Sequence, residues 1–112
     1  MNYPSETDRA LAAQVASASE ADLLLRLGEA LAGEPARDSD QQNLRSRGED
    51  WLRRNRMRFK ELVCGNPVFA DLGDSMVDVA TLADALGVLL NRPTAFIVAA
   101  ILIKRGISTL CS

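Results

Sequence analysis

The sequence predicts an all-α protein, a single compact bundle of five or six helices with a buried C-terminal helix, on three observations. Ala, Leu and Val dominate the apolar residues, which make up 47% of the 112, and aromatics only 4%. These are types that lose little rotamer freedom in helices or pack between them. Apolar residues recur at three- and four-residue spacing behind Ser/Asp pairs that resemble helix starts. Finally, Leu86 to Ile103 is almost continuously apolar but broken by Asn91, Arg92 and Pro93, which reads as a buried helical hairpin.

Taken in order, Ser5 with Asp8 and Ser19 with Asp22 suit N-caps with an acid at the third helical position, so acidic helices are expected over about 6–17 and 20–32. In the second, Leu23, Leu24, Leu27, Ala30 and Leu31 form an apolar stripe that leaves Glu20, Arg26 and Glu29 outside. Gly33 ends it, and residues 33–40 read as a loop. A basic helix follows over about 40–64, with Leu44, Trp51, Leu52, Asn55, Phe59, Leu62 and Val63 on one side. Unbroken, it would be about 37 Å long, more than a domain of this size needs, so a kink is expected at Gly48. Trp51 is expected to anchor the core. Gly65, Asn66 and Pro67 stop the helix and open a second loop.

A C-terminal hairpin is expected over about 75–106. Ser75 with Asp78, or Thr81 with Asp84, starts its first helix, whose stripe is Met76, Val79, Leu82, Ala83, Leu86 and Leu90. Pro93 suits the first position of the next helix. Lys104 and Arg105 suit its negative dipole end, and Gly106 the left-handed residue after it. Ile107 should then close back onto Leu102. Because Phe96, Ile97, Val98, Ile101, Leu102 and Ile103 point all round, this helix must be covered by protein or lipid. A membrane span is not expected, since about 20 uninterrupted apolar residues are needed and Arg92 and Pro93 interrupt the run.

Charge is arranged in blocks. Residues 1–44 carry −5, 45–60 carry +5, 61–91 carry −5 and the remainder +3, for a net −2. The basic block holds Arg45, Arg47, Arg53, Arg54, Arg56, Arg58 and Lys60, the candidate partner-binding residues. With no histidine, no metal-ligand spacing and no phosphate-cradling glycine loop, neither catalytic nor metal- or cofactor-binding residues are expected. Cys64 and Cys111, far apart and outside any CxxC pattern, are expected to be reduced thiols in a cytoplasmic protein, and the polar, acidic start does not resemble an export signal.

Thr81 to Val88 (TLADALGV) resembles the first helix and turn of bacterial helix-turn-helix domains. The segment after it offers Phe96, Ile97 and Val98 in place of base-reading side chains, so DNA reading there is not expected. The size and charge layout are similar to those of helical death-fold adaptors, including those of bacterial defence operons, a resemblance that implies docking to another protein. The expected function is therefore a non-catalytic protein–protein interaction module: an adaptor, accessory subunit or self-assembling unit. An acidic surface, of another protein or of a second copy, would dock on the basic helix. The alternative is nucleic-acid binding through the same residues, against which the pI of about 5.1 weighs.

Overall fold

The computed structural model describes residues 6–33, 40–73 and 75–112. Among them are seven α-helices, a single-turn 3-10 helix at Pro67–Phe69 and no strand. The helices are α1 (Glu6–Ala16), α2 (Glu20–Ala32), α3 (Gln41–Arg54), α4 (Arg56–Val63), α5 (Met76–Leu86), α6 (Arg92–Arg105) and α7 (Ile107–Cys111). The all-α class thus holds. The helix count exceeds the expected five or six because the basic stretch splits and because Ile107 opens another helix.

Local chemistry accounts for most boundaries. Ser19 Oγ accepts the Asp22 amide at 3.1 Å, and Ser75 Oγ accepts the Asp78 amide at 3.1 Å. The second cap is reinforced because the Asp78 carboxylate accepts the Gly73 amide at 2.8 Å. Asn91 Oδ1 accepts the Thr94 amide at 3.0 Å and so caps α6, with Pro93 in the first turn, where its missing donor costs nothing. Each such cap contributes about 1 kcal/mol. The Ser5 cap and most of the loop after Gly33 lie outside the described residues.

Gly33 closes α2 at φ +77°, returning its amide to the Glu29 carbonyl. Gly106 also has positive φ, +95°, but its ψ of 129° leaves the left-handed helical region and redirects the chain at once into α7. Ile107 is buried there as the first residue of a new helix, not as the closing residue of a C-terminal cap.

The core runs through every helix. Ala12 and Val15 of α1, Leu23 and Leu27 of α2, Leu52 of α3, Phe59 and Val63 of α4, and Val79, Leu82 and Leu86 of α5 are all buried. At its centre, Thr94, Ala95, Phe96, Val98, Ala99, Ala100, Ile101, Leu102 and Ile103 of α6 are buried, and α1, α2, α5 and α7 pack around them. At α6's entrance Arg92 pairs with Asp84 of α5 at 2.7 Å and lies over the Phe96 ring, 5.4 Å from its centre. No described helix is long and apolar enough to cross a membrane. Trp51 is half-buried against the core, its ring 5.7 Å from that of Phe59.

One expectation about the basic stretch is corrected. The helix breaks at Asn55, not at Gly48. Asn55 turns its Nδ2 onto the Trp51 carbonyl at 2.8 Å, and α4 begins at the next residue. Gly48 instead lies inside α3, facing α2. A Cβ there would lie 2.8 Å from the Leu24 carbonyl oxygen, and one on Gly28 of α2 would lie 2.1 Å from the Leu44 carbonyl oxygen. The two glycines let the α2 and α3 backbones touch. The basic stretch therefore packs chiefly on the second acidic helix, while α1 goes to α5 and α6.

The reduced-thiol expectation is also overturned: Cys64 and Cys111 form a disulfide, their Cα atoms 5.6 Å apart. Sequence separation hid the pairing, which arises only when α7 lies back across the end of α4. Two predictions follow from these contacts. Gly28→Ala should destabilise the fold by about 3 kcal/mol, because overpacking against backbone outweighs the roughly 1 kcal/mol gain in helix propensity; a urea midpoint at or above wild type would contradict the close approach. The double variant Cys64→Ser, Cys111→Ser should lose about 4 kcal/mol by the loop-closure relation for a 47-residue separation, measured by urea unfolding without reductant.

Candidate interaction surface

The basic block is where charge and shape coincide. Arg47, Arg53, Arg54, Arg56 and Arg58 are exposed, whereas Arg45 and Lys60 are half-buried. Charge blocks alone suggest internal pairing with the acidic segments. Among the described residues, however, the one ion pair made by these seven is between Arg53 and Asp50, at 3.1 Å and one helical turn apart.

Two members of the block are used inside the fold. Arg56, Lys60 and Cys64 recur every four residues and so line one edge of α4. Each holds α7: Arg56 donates to the Thr109 carbonyl at 3.2 Å, Lys60 to the Ser112 carbonyl at 3.3 Å, and Cys64 bonds Cys111. Cations at the carbonyl end of a helix are favoured electrostatically. Arg56 and Lys60, expected as partner-binding residues, thus also serve the fold, through carbonyls about 50 residues away in sequence.

Four arginines of the block, Arg56 among them, border two hollows. Arg53 and Arg56 border one of about 270 Å³, floored by Leu52, Phe59, Leu102 and Leu110, with Glu49 and Arg105 on its wall. Arg47 and Arg54 border a second of about 280 Å³, with Trp51, Leu31 and Asn55. Arg45 and Arg58 border neither. The block is thus two basic edges, not one patch. Leu102, Arg105, Thr109 and Leu110 belong to this surface with no local signal in the sequence, since α6 and α7 reach it only by folding back.

Arg105 fixes the wall of the first hollow. Its guanidinium donates to Glu20 at the start of α2 and to Glu49 of α3, joining three helices. Burial disfavours its charge, but the hydrogen bonds and proximity of Glu49 and Glu20 prevail and raise its pKa above the ordinary arginine value. It is therefore charged at every working pH. Beside it, Lys104 Nζ donates to the Ala16 carbonyl at the end of α1, at 3.3 Å. Both lie in the last turn of α6, as expected, and they also secure three other helices. No group of three Cys, Asp or Glu residues among those described could hold a metal ion.

Removing the guanidinium would leave two carboxylates facing each other. Arg105→Ala should therefore cost about 1–2 kcal/mol, discounted for the partial exposure of both acids, and Arg105→Lys should recover only part because a single ammonium cannot fork across two helices. Chemical denaturation checks both, and wild-type stability in the alanine variant would remove Arg105 as a structural tie.

No known family model matches this chain, nor does any curated protein or solved structure.

Proposed function

We propose that this chain is a non-catalytic protein–protein interaction module, an adaptor, accessory subunit or self-assembling unit such as those of bacterial defence or signalling operons. The observation that carries the reading is the exposed arginine surface of α3 and α4. Five guanidinium groups stand at it, and one intrahelical pair with Asp50 is their only ion pairing among the described residues. Unneutralised arginines beside apolar hollows favour an acidic protein surface, since the guanidinium fork matches carboxylates and aromatic or aliphatic anchors supply affinity. The α7 latch supports the same reading by keeping that surface rigid, which lowers the ordering cost of association. The bridge itself favours an oxidising setting over the expected cytoplasmic one, because reducing compartments keep thiols unpaired.

A second reading, nucleic-acid binding, draws on the placement of Arg47, Trp51 and Arg54 around one hollow, where a base could stack on the indole between two phosphate-binding groups. One experiment separates the two. The charge-reversed variant Arg53→Glu, Arg54→Glu, Arg58→Glu should lose the partners that co-purify with the wild-type chain from its native host, while labelled RNA should not bind wild type even at low salt. Retention of every partner would overturn the docking surface. Salt-dependent RNA binding lost in the variant would establish the second reading.

A further inference from the structure

We infer that the hollow between α3, α4, α6 and α7 seats one large apolar side chain from a partner segment whose flanking residues are acidic. The inference rests on the interaction function proposed above and names the chemistry of the partner. Size argues first. At about 270 Å³ the hollow falls just below the roughly 300–1,000 Å³ of sites that enclose small organic ligands, yet it accommodates a phenylalanine or leucine side chain. Its floor is apolar: Leu52, Phe59, Leu102 and Leu110 line it and are each at most 7% exposed.

Charge then selects the occupant's neighbours. Arg53, Arg56 and Arg105 line the hollow against one acid, Glu49, and Arg105 is already committed to Glu20 and Glu49. That leaves Arg56, together with Arg53, whose pair with Asp50 is exposed to solvent and open to exchange, as the groups that meet a partner. Arg56 uses Nη2 on the Thr109 carbonyl, which orients its guanidinium at the rim and leaves further N–H donors for a carboxylate. An apolar hole ringed by oriented cations matches the arrangement of an interface hot spot, in which a buried anchor is sealed from water by polar neighbours. The hole is also preformed, since Arg56, Lys60 and the Cys64–Cys111 bridge pin its α7 wall. The second hollow, beside Trp51, has a less apolar lining and lacks that latch.

The test is a nitrogen-15 amide titration of the full chain with two peptides, acetyl-Glu-Asp-Phe-Asp-Glu-amide and acetyl-Glu-Asp-Gly-Asp-Glu-amide. The first should shift the amides of Leu52, Arg56, Gly106, Thr109 and Leu110 and bind about tenfold or more tightly than the second. Thr109→Trp, which fills the hollow from its exposed rim without changing any charge, should erase that preference while leaving the circular dichroism spectrum unchanged. If Thr109→Trp fails to fold, the two-peptide comparison on wild type decides alone. Equal binding of the two peptides, with shifts confined to Arg47, Arg54 and Arg58, would overturn the anchor and leave a docking surface of charge alone. No shift from either peptide at millimolar concentration would also overturn it, whereas the interaction function itself is judged by the charge-reversal experiment.

Discussion

A helix that is apolar on every side has to be enclosed, and α6 imposes that requirement on the whole chain. Nine of its fourteen residues are buried. Phe96, Val98, Ile101, Leu102 and Ile103 alone contribute on the order of 10 kcal/mol of transfer free energy, an upper figure because unfolded chains already bury some surface. Four helices share the work of covering it, and each has a sequence device that brings it there. Arg92 joins α5 to α6 through Asp84, Lys104 ties in α1, Arg105 reaches α2, and Gly106 turns the chain so that α7 folds back. Polar residues at the ends of the buried rod thus set the positions of its neighbours.

The contact between α2 and α3 obeys a different rule. Opposite charges on the two segments suggest ion pairing, but the helices meet through Gly28 and Gly48, where side chains are excluded by backbone on the other helix. Close backbone approach fixes both crossing point and register, since any other alignment would place a Cβ against a carbonyl. Packing through glycine, not through ion pairs, leaves Arg47, Arg53 and Arg54 of α3 exposed. Their exposure is therefore a consequence of the core.

The α7 latch links stability to the surface. A five-residue helix cannot persist alone, because nucleation costs more than so few hydrogen bonds return. Here it is held by two cations, a disulfide and the burial of Ile107 and Leu110. The same helix forms a wall of the apolar hollow. Stability of the C-terminal segment and shape of the candidate docking site are consequently one property.

By itself the sequence determined what depends on neighbours a few residues apart: helical class, the Ser19 and Ser75 caps and the stop at Gly33. These are short-range hydrogen bonds and periodicities, legible without the rest of the chain. Tertiary structure alone decided what depends on distant residues meeting. Cys64 found Cys111, Gly48 became a contact point while Asn55 took the break, Arg56 and Lys60 bonded carbonyls of the C-terminal segment, and Leu102 and Leu110 joined the basic edge. The seven cationic positions were readable from spacing, but their division into latch and rim was not, because a side chain's role is set by which backbone carbonyl or apolar floor the fold delivers to it.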